Sequence, residues 1–127
     1  MTMELANVRV TIEYADQNED FAASLPVAGR LSRPLFATGD PRPWWVVILD
    51  RTIEYQLKVG DSFQFRLIKS GELVIGTREQ NRAIGGDEPT AVHILLPFRP
   101  DATETSDLRV SEFFHAAWGI CRRKDAV

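Results

Sequence analysis

Apolar and polar residues alternate with a period of two in five short segments, and the last part of the chain repeats its apolar residues at three- and four-residue intervals. The first segment, Asn7 to Tyr14, sets Val8, Val10, Ile12 and Tyr14 against Arg9, Thr11 and Glu13. That is a half-buried strand. Thr52 to Leu57, Ser62 to Ile68, Leu73 to Arg78 and Ala91 to Phe98 repeat the pattern. Trp44 to Leu49 is apolar throughout, as in a strand covered on both faces. Asp50-Arg51 predicts a tight hairpin, Val59-Gly60-Asp61 a second turn, and Lys69-Ser70-Gly71 a three-residue hairpin loop. Gly76, inside a strand pattern, marks a bulge or a close backbone approach.

Phe21 to Pro43 holds Pro26, Pro34, Pro41 and Pro43, so any strand there is short, bulged or at an edge. Glu79 to Thr90 reads as a polar loop. From Val110 onward, Phe113, Phe114, Ala117, Trp118 and Cys121 fall on one helical stripe. Thr105 or Ser106 offers a cap, Asp107 suits the first turn, and Arg122, Arg123 and Lys124 suit the last. The expected fold is all-β or β-dominated: one domain over residues 1–127, a small antiparallel β-barrel with one C-terminal amphipathic α-helix at about 106–122.

Composition narrows the function classes. The 127 residues are 44% hydrophobic and 26% charged, which suits one globular core. The net charge of −3 argues against nonspecific binding to nucleic acid or membrane. One cysteine, Cys121, fits a reducing compartment, and its place on the apolar stripe makes it a packing thiol. Met1 to Val8 lacks the features of a signal peptide, and no apolar run is long enough to span a bilayer. A cytoplasmic protein with no membrane association is expected.

No phosphate-binding glycine loop, nucleophile elbow or zinc-ligand spacing is present. His93 and His115 come from different elements, with no ligand partner at metal spacing; His93 faces away from Val92 and Ile94. No catalytic residue, metal or cofactor is therefore assigned, and the chain reads as a binding module rather than an enzyme.

The candidate binding residues are Arg42, Trp44 and Trp45, with Glu13, Asp16, Glu19 and Asp20 as an acidic patch. Adjacent strand residues face opposite sides, so only one of the two tryptophans can enter a given core. The other is exposed or lies under a second layer. An exposed Trp beside Arg has the composition of an interface hot spot. The leading expectation is non-catalytic binding of another protein, through exposed aromatics or a sheet edge, in one form as an immunity- or antitoxin-like protein. The alternative is a structured-RNA-binding accessory protein of the translation apparatus. It would use a basic face from Arg30, Arg33, Arg42, Arg78 and Arg82. A homodimer is compatible with either.

Two stretches also resemble a known family. Gly29-Arg30, Pro34, Phe36 and Gly39 resemble the G-R-x-x-P-x-F segment of the third, β-barrel domain of elongation factor Tu, with one more residue between Arg30 and Pro34. Gly60-Asp61, the strand Phe63 to Ile68, and Gly71 to Gly76 are similar to that domain's closing hairpin. The resemblance spans Val8 to Glu79. Ala28 replaces a second glycine, and Gly76-Thr77-Arg78-Glu79 shortens the final motif. The resemblance implies a barrel that binds through its surface, with transfer RNA or a GTPase domain as the family's partners.

Overall fold

In a computed structural model of the chain, six strands close into one antiparallel barrel in the order β1 to β6. The described residues are 7–16, 23–40, 42–58, 65–77, 84, 89–98, 100–104 and 106–123. The strands are β1 (Arg9–Asp16), β2 (Val27–Leu35), β3 (Trp44–Lys58), β4 (Phe65–Thr77), β5 (Thr90–Pro97) and β6 (Phe113–Arg123). Each strand pairs with its sequence neighbour, and β6 returns to β1, with Ile12 opposite Cys121. Closure pairs every strand on both sides over part of its length, while Ile53–Lys58 of β3 and Phe65–Ser70 of β4 pair with each other as a two-strand extension.

The expected C-terminal helix is not formed: Phe113–Arg123 is the sixth strand. The reason lies in a bulge. Ile94 pairs with Ala117 but Leu95 pairs with His115, so Ala116 is passed over. A bulge reverses the in–out phase of a strand. Phe114, Ala116, Ala117 and Cys121 consequently all pack in the barrel interior, while Phe113 packs outside. Interior positions at 114, 117 and 121 imitate the three-and-four spacing of a helix. Asp107 pairs with Phe36 in an isolated parallel bridge rather than opening an α-helix.

The partition of the middle strands also differs from expectation. Asp50-Arg51 and Lys69-Ser70-Gly71 are not hairpin loops but parts of the long strands β3 and β4. They lie beside each other at one bend, where the register jumps from Ile48 opposite Glu72 to Ile53 opposite Ser70. There the Ser70 hydroxyl donates to the Glu72 carbonyl (2.7 Å) and accepts from the Glu72 amide (3.1 Å). Turn-forming residues here bend a coiled two-strand ribbon without ending it. The proline-rich stretch likewise contains β2, with Pro34 beside a register shift, where a missing amide is tolerated. Val59-Gly60-Asp61 lies outside the described residues.

The main core fills the barrel, with Trp45, Tyr55, Leu31, Leu73, Ile75 and Ile94 among its members. A second cluster lies on the outside: Leu35, Val46, Val74, Leu95 and Phe113 project outward beneath Ala102 and Leu108. The connection between β5 and β6, which contains the 3-10 helices Pro100–Thr103 and Val110–Glu112, supplies that cover. It is pinned at both ends. The Phe36 amide donates to the Ser106 carbonyl (3.0 Å), and the Leu108 amide to the Phe36 carbonyl (2.8 Å). Arg33 donates to the Thr103 carbonyl and the Thr103 hydroxyl to Glu72. This second layer explains the unbroken apolar run at Trp44–Leu49. Trp45, Val47 and Leu49 point in, and Val46 points out into the outer cluster. The sheet face expected to lie under a helix is covered by this connection. Among the described residues, no helix is long and apolar enough to cross a membrane.

Candidate functional site

Trp45 is the tryptophan of the core, 1% exposed, and Trp44 is the one on the outer surface, half-buried. Trp44 owes its position to Gly76 on the neighbouring strand. A β-carbon at Gly76 would come within 2.5 Å of the Trp44 ring, so the indole lies against bare backbone. Gly76 in turn pairs with His93 on β5, and His93 with Trp118 on β6. A row of outward positions thus crosses four strands, aromatic on β3, β5 and β6 with Gly76 of β4 between them.

The rings touch. His93 stacks on Trp118 with centroids 3.9 Å apart and planes 10° from parallel. Trp44 leans on His93 at 5.6 Å and 44°. His115 meets His93 at 4.1 Å, close to perpendicular at 72°, and Trp118 at 5.8 Å. His115 is exposed, and Trp44, His93 and Trp118 are each partly exposed. The bulge at Ala116 gives His115 its place: continued from Ile120 and Trp118, plain alternation would put 116 and 114 outside and 115 inside, and the extra residue reverses this. Burial, and then the neighbouring His115, lowers the His93 pKa to about 4, so that imidazole is neutral at pH 7.

The other residues expected to bind are dispersed. Arg42 is committed to its own loop: its Nη2 donates to Asp40 Oδ2 (2.9 Å) and its amide to Asp40 Oδ1 (2.9 Å). These hydrogen bonds hold the Asp40 carboxyl below the usual range. Glu13 sits at a β1 register shift and accepts from Arg122 Nε at 2.7 Å, so its charge is compensated. The backbone of Asp16 is opposite Trp118. The side chain of Asp16, and Glu19 and Asp20 entirely, lie outside the described residues. The acidic patch is therefore represented by Glu13, already paired.

The basic face required for RNA is not brought together among the described residues. Arg33 is tied to the Thr103 carbonyl and Arg42 to Asp40. Arg30 donates to Asn7 Oδ1 at 3.1 Å, while Arg78 and Arg82 lie outside the described residues.

A groove of about 390 Å³ opens at the β3–β4 bend, lined by Ile48, Ile68, Lys69, Ser70 and Glu72 among others. Its charged groups are directed to other partners. Lys69 faces Glu54 (3.4 Å), and Glu72 accepts from Thr103. Cys121 is buried, and its pKa is pushed up to about 12 by desolvation first and the Glu13 charge second. Tyr55 is buried in the core, where its hydroxyl donates to the Pro97 carbonyl at 2.6 Å and burial raises its pKa. Among the described residues, no group of three or more His, Cys, Asp and Glu is placed to hold a metal ion.

Sequence reasoning included Trp44 but not His93, His115 or Trp118. The usable signal is the outward phase of His93; on the expected helix, Trp118 belongs to the apolar stripe and His115 flanks it, which gives neither a strand pairing with β5. No family model matches the chain, and no curated protein or solved structure matches it.

Proposed function

We propose that this protein is a non-catalytic binding module that engages another protein through the outer aromatic face formed by Trp44, His93, His115 and Trp118. The observation that carries the reading is the His93–Trp118 stack, flanked by Trp44 and left partly open to solvent. Rigid aromatic side chains give large contact area at low entropic cost and are enriched at interface hot spots.

Two features support this over other routes. The interior is occupied by the protein's own side chains, Trp45 and Tyr55 the largest, rather than by a ligand space. The neutral imidazole of His93 and the dispersed arginines give an RNA phosphate little to pair with. Surface binding also accords with the resemblance of the Gly29–Gly76 motifs to the third domain of elongation factor Tu. An immunity- or antitoxin-like protein is one form of the proposal, in which the net charge of −3 suits a basic partner.

The test is affinity capture from lysate, with and without nuclease, using the wild-type protein and Trp118→Ala. The proposal expects a nuclease-resistant protein partner that is lost with the indole. Capture that disappears on nuclease treatment, or that is indifferent to Trp118→Ala, would count against it.

A further inference from the structure

We propose that His93 and His115 form a two-imidazole site for a first-row divalent cation of the zinc or nickel kind on the outer face of β5 and β6. The inference stands on the imidazoles and does not need the partner-binding reading.

The two rings belong to adjacent strands and lie with centroids 4.1 Å apart. In sequence they look unrelated. The bulge at Ala116 sets His115 opposite Leu95, on the same outer face as His93. Their contacts are with aromatic rings, and among the described residues neither makes a hydrogen bond or an ion pair. Among the described residues no buried side-chain nitrogen lacks a partner, and His115 is exposed, so the unpartnered nitrogens reach solvent. Two accessible imidazoles with uncommitted lone pairs are the donors that zinc, nickel and copper ions prefer, and that calcium and magnesium do not.

The geometry needs one adjustment. Two nitrogens bound to one ion at about 2.0 Å sit about 3 Å apart. The rings now meet edge to face, but His115 is exposed, and its ring can rotate about its own side-chain bonds while the strand stays in place. His93 is the fixed ligand, held flat on Trp118 as an outer support. With two protein ligands, water completes the coordination shell. The ion is exchangeable, unlike that of a closed structural zinc centre.

The experiment titrates nickel chloride into the purified full chain, carrying no histidine tag, and follows tryptophan fluorescence. Nickel quenches a nearby indole, and Trp118 is next to both rings. The expected result is saturable one-to-one quenching that zinc chloride reverses by competition. His115→Gln and His93→Gln should each weaken binding at least tenfold. His115→Gln alters an exposed residue and so tests the site without disturbing the fold, and if His93→Gln does not fold, His93→Asn is used in its place. Quenching that fails to saturate, that persists in His115→Gln, or that depends on His115 while a folded His93→Gln binds normally, would overturn the two-imidazole site.

Discussion

Replacing Gly76 by alanine should destabilise the protein through one contact. The added β-carbon would lie 2.5 Å from Trp44 Cε3, 2.6 Å from Cδ2 and 2.7 Å from Cζ3. Carbon atoms pack at about 3.5–4.0 Å, so the ring must retreat by about 1 Å. It cannot sink, because Trp45 next to it is locked opposite Ile75 in the β3–β4 ladder. The indole must lift away from His93 and from the outer cluster. Overpacking of this sort costs about 1–3 kcal/mol. Against it stands about 0.4–1 kcal/mol gained by restricting the unfolded chain when glycine becomes alanine. The net loss is about 1–2 kcal/mol, readable by urea denaturation followed by circular dichroism. Tryptophan emission should shift to the red as Trp44 becomes more exposed. The contact is isolated by a double-mutant cycle with Trp44→Ala. Once the ring is gone, Gly76→Ala should be neutral or slightly stabilising. An equal cost of Gly76→Ala with and without the Trp44 ring would refute the reasoning and place the strain in the backbone.

Leu108→Ala should cost about 2–5 kcal/mol, because the leucine is 5% exposed and covers the outer cluster; thermal melting tests whether the connection between β5 and β6 is part of the cooperative fold. Cys121 should react with thiol reagents only on unfolding, since burial and Glu13 hold its pKa at about 12; rapid stoichiometric labelling of the native protein would contradict its placement. His93 should make stability fall with acid. Its folded pKa, about 4, lies below the ordinary 6.5, so the unfolded chain takes up a proton first, and the His93 contribution, intact above pH 6.5, is lost as pH falls toward 4. Urea midpoints across that range should show this slope in the wild type and a flatter one in His93→Gln.

The strands with plain alternation, β1 and β5, are legible in the sequence because β5 alternates through Thr90–Ile94 and β1 keeps one phase through Val10 and Ile12, before its mid-strand register shift. In β1 the register shifts between Ile12 and Tyr14, and Ala15 joins Val10 and Ile12 in the core, a change of phase that alternation alone does not announce. The last strand was misread because it is apolar on both faces and carries a bulge. Phe113 feeds the outer cluster, Phe114 and Ala117 the inner one, and the union looks like a helical stripe. Turn signals at Asp50-Arg51 and Lys69-Ser70-Gly71 were read separately as two hairpins, but they mark the two sides of one bend. Local chemistry reports that a chain must curve there; it does not report whether the strand ends. The candidate site was hidden for the same reason as β6. The neighbours of His93 depend on pairing, and pairing depends on where Ala116 drops out of register.

The central claim is that the outer aromatic face is the binding surface. Its most direct test is the affinity of the captured partner, purified, for the wild-type protein and for a folded Trp118→Ala variant at two salt concentrations. A hot-spot truncation costs about 2 kcal/mol or more, roughly thirtyfold in Kd. The account predicts at least that loss for Trp118→Ala and only a modest salt dependence. Unchanged affinity in the variant, with binding that falls steeply as salt rises, would contradict it and place the interface on charged residues elsewhere on the barrel.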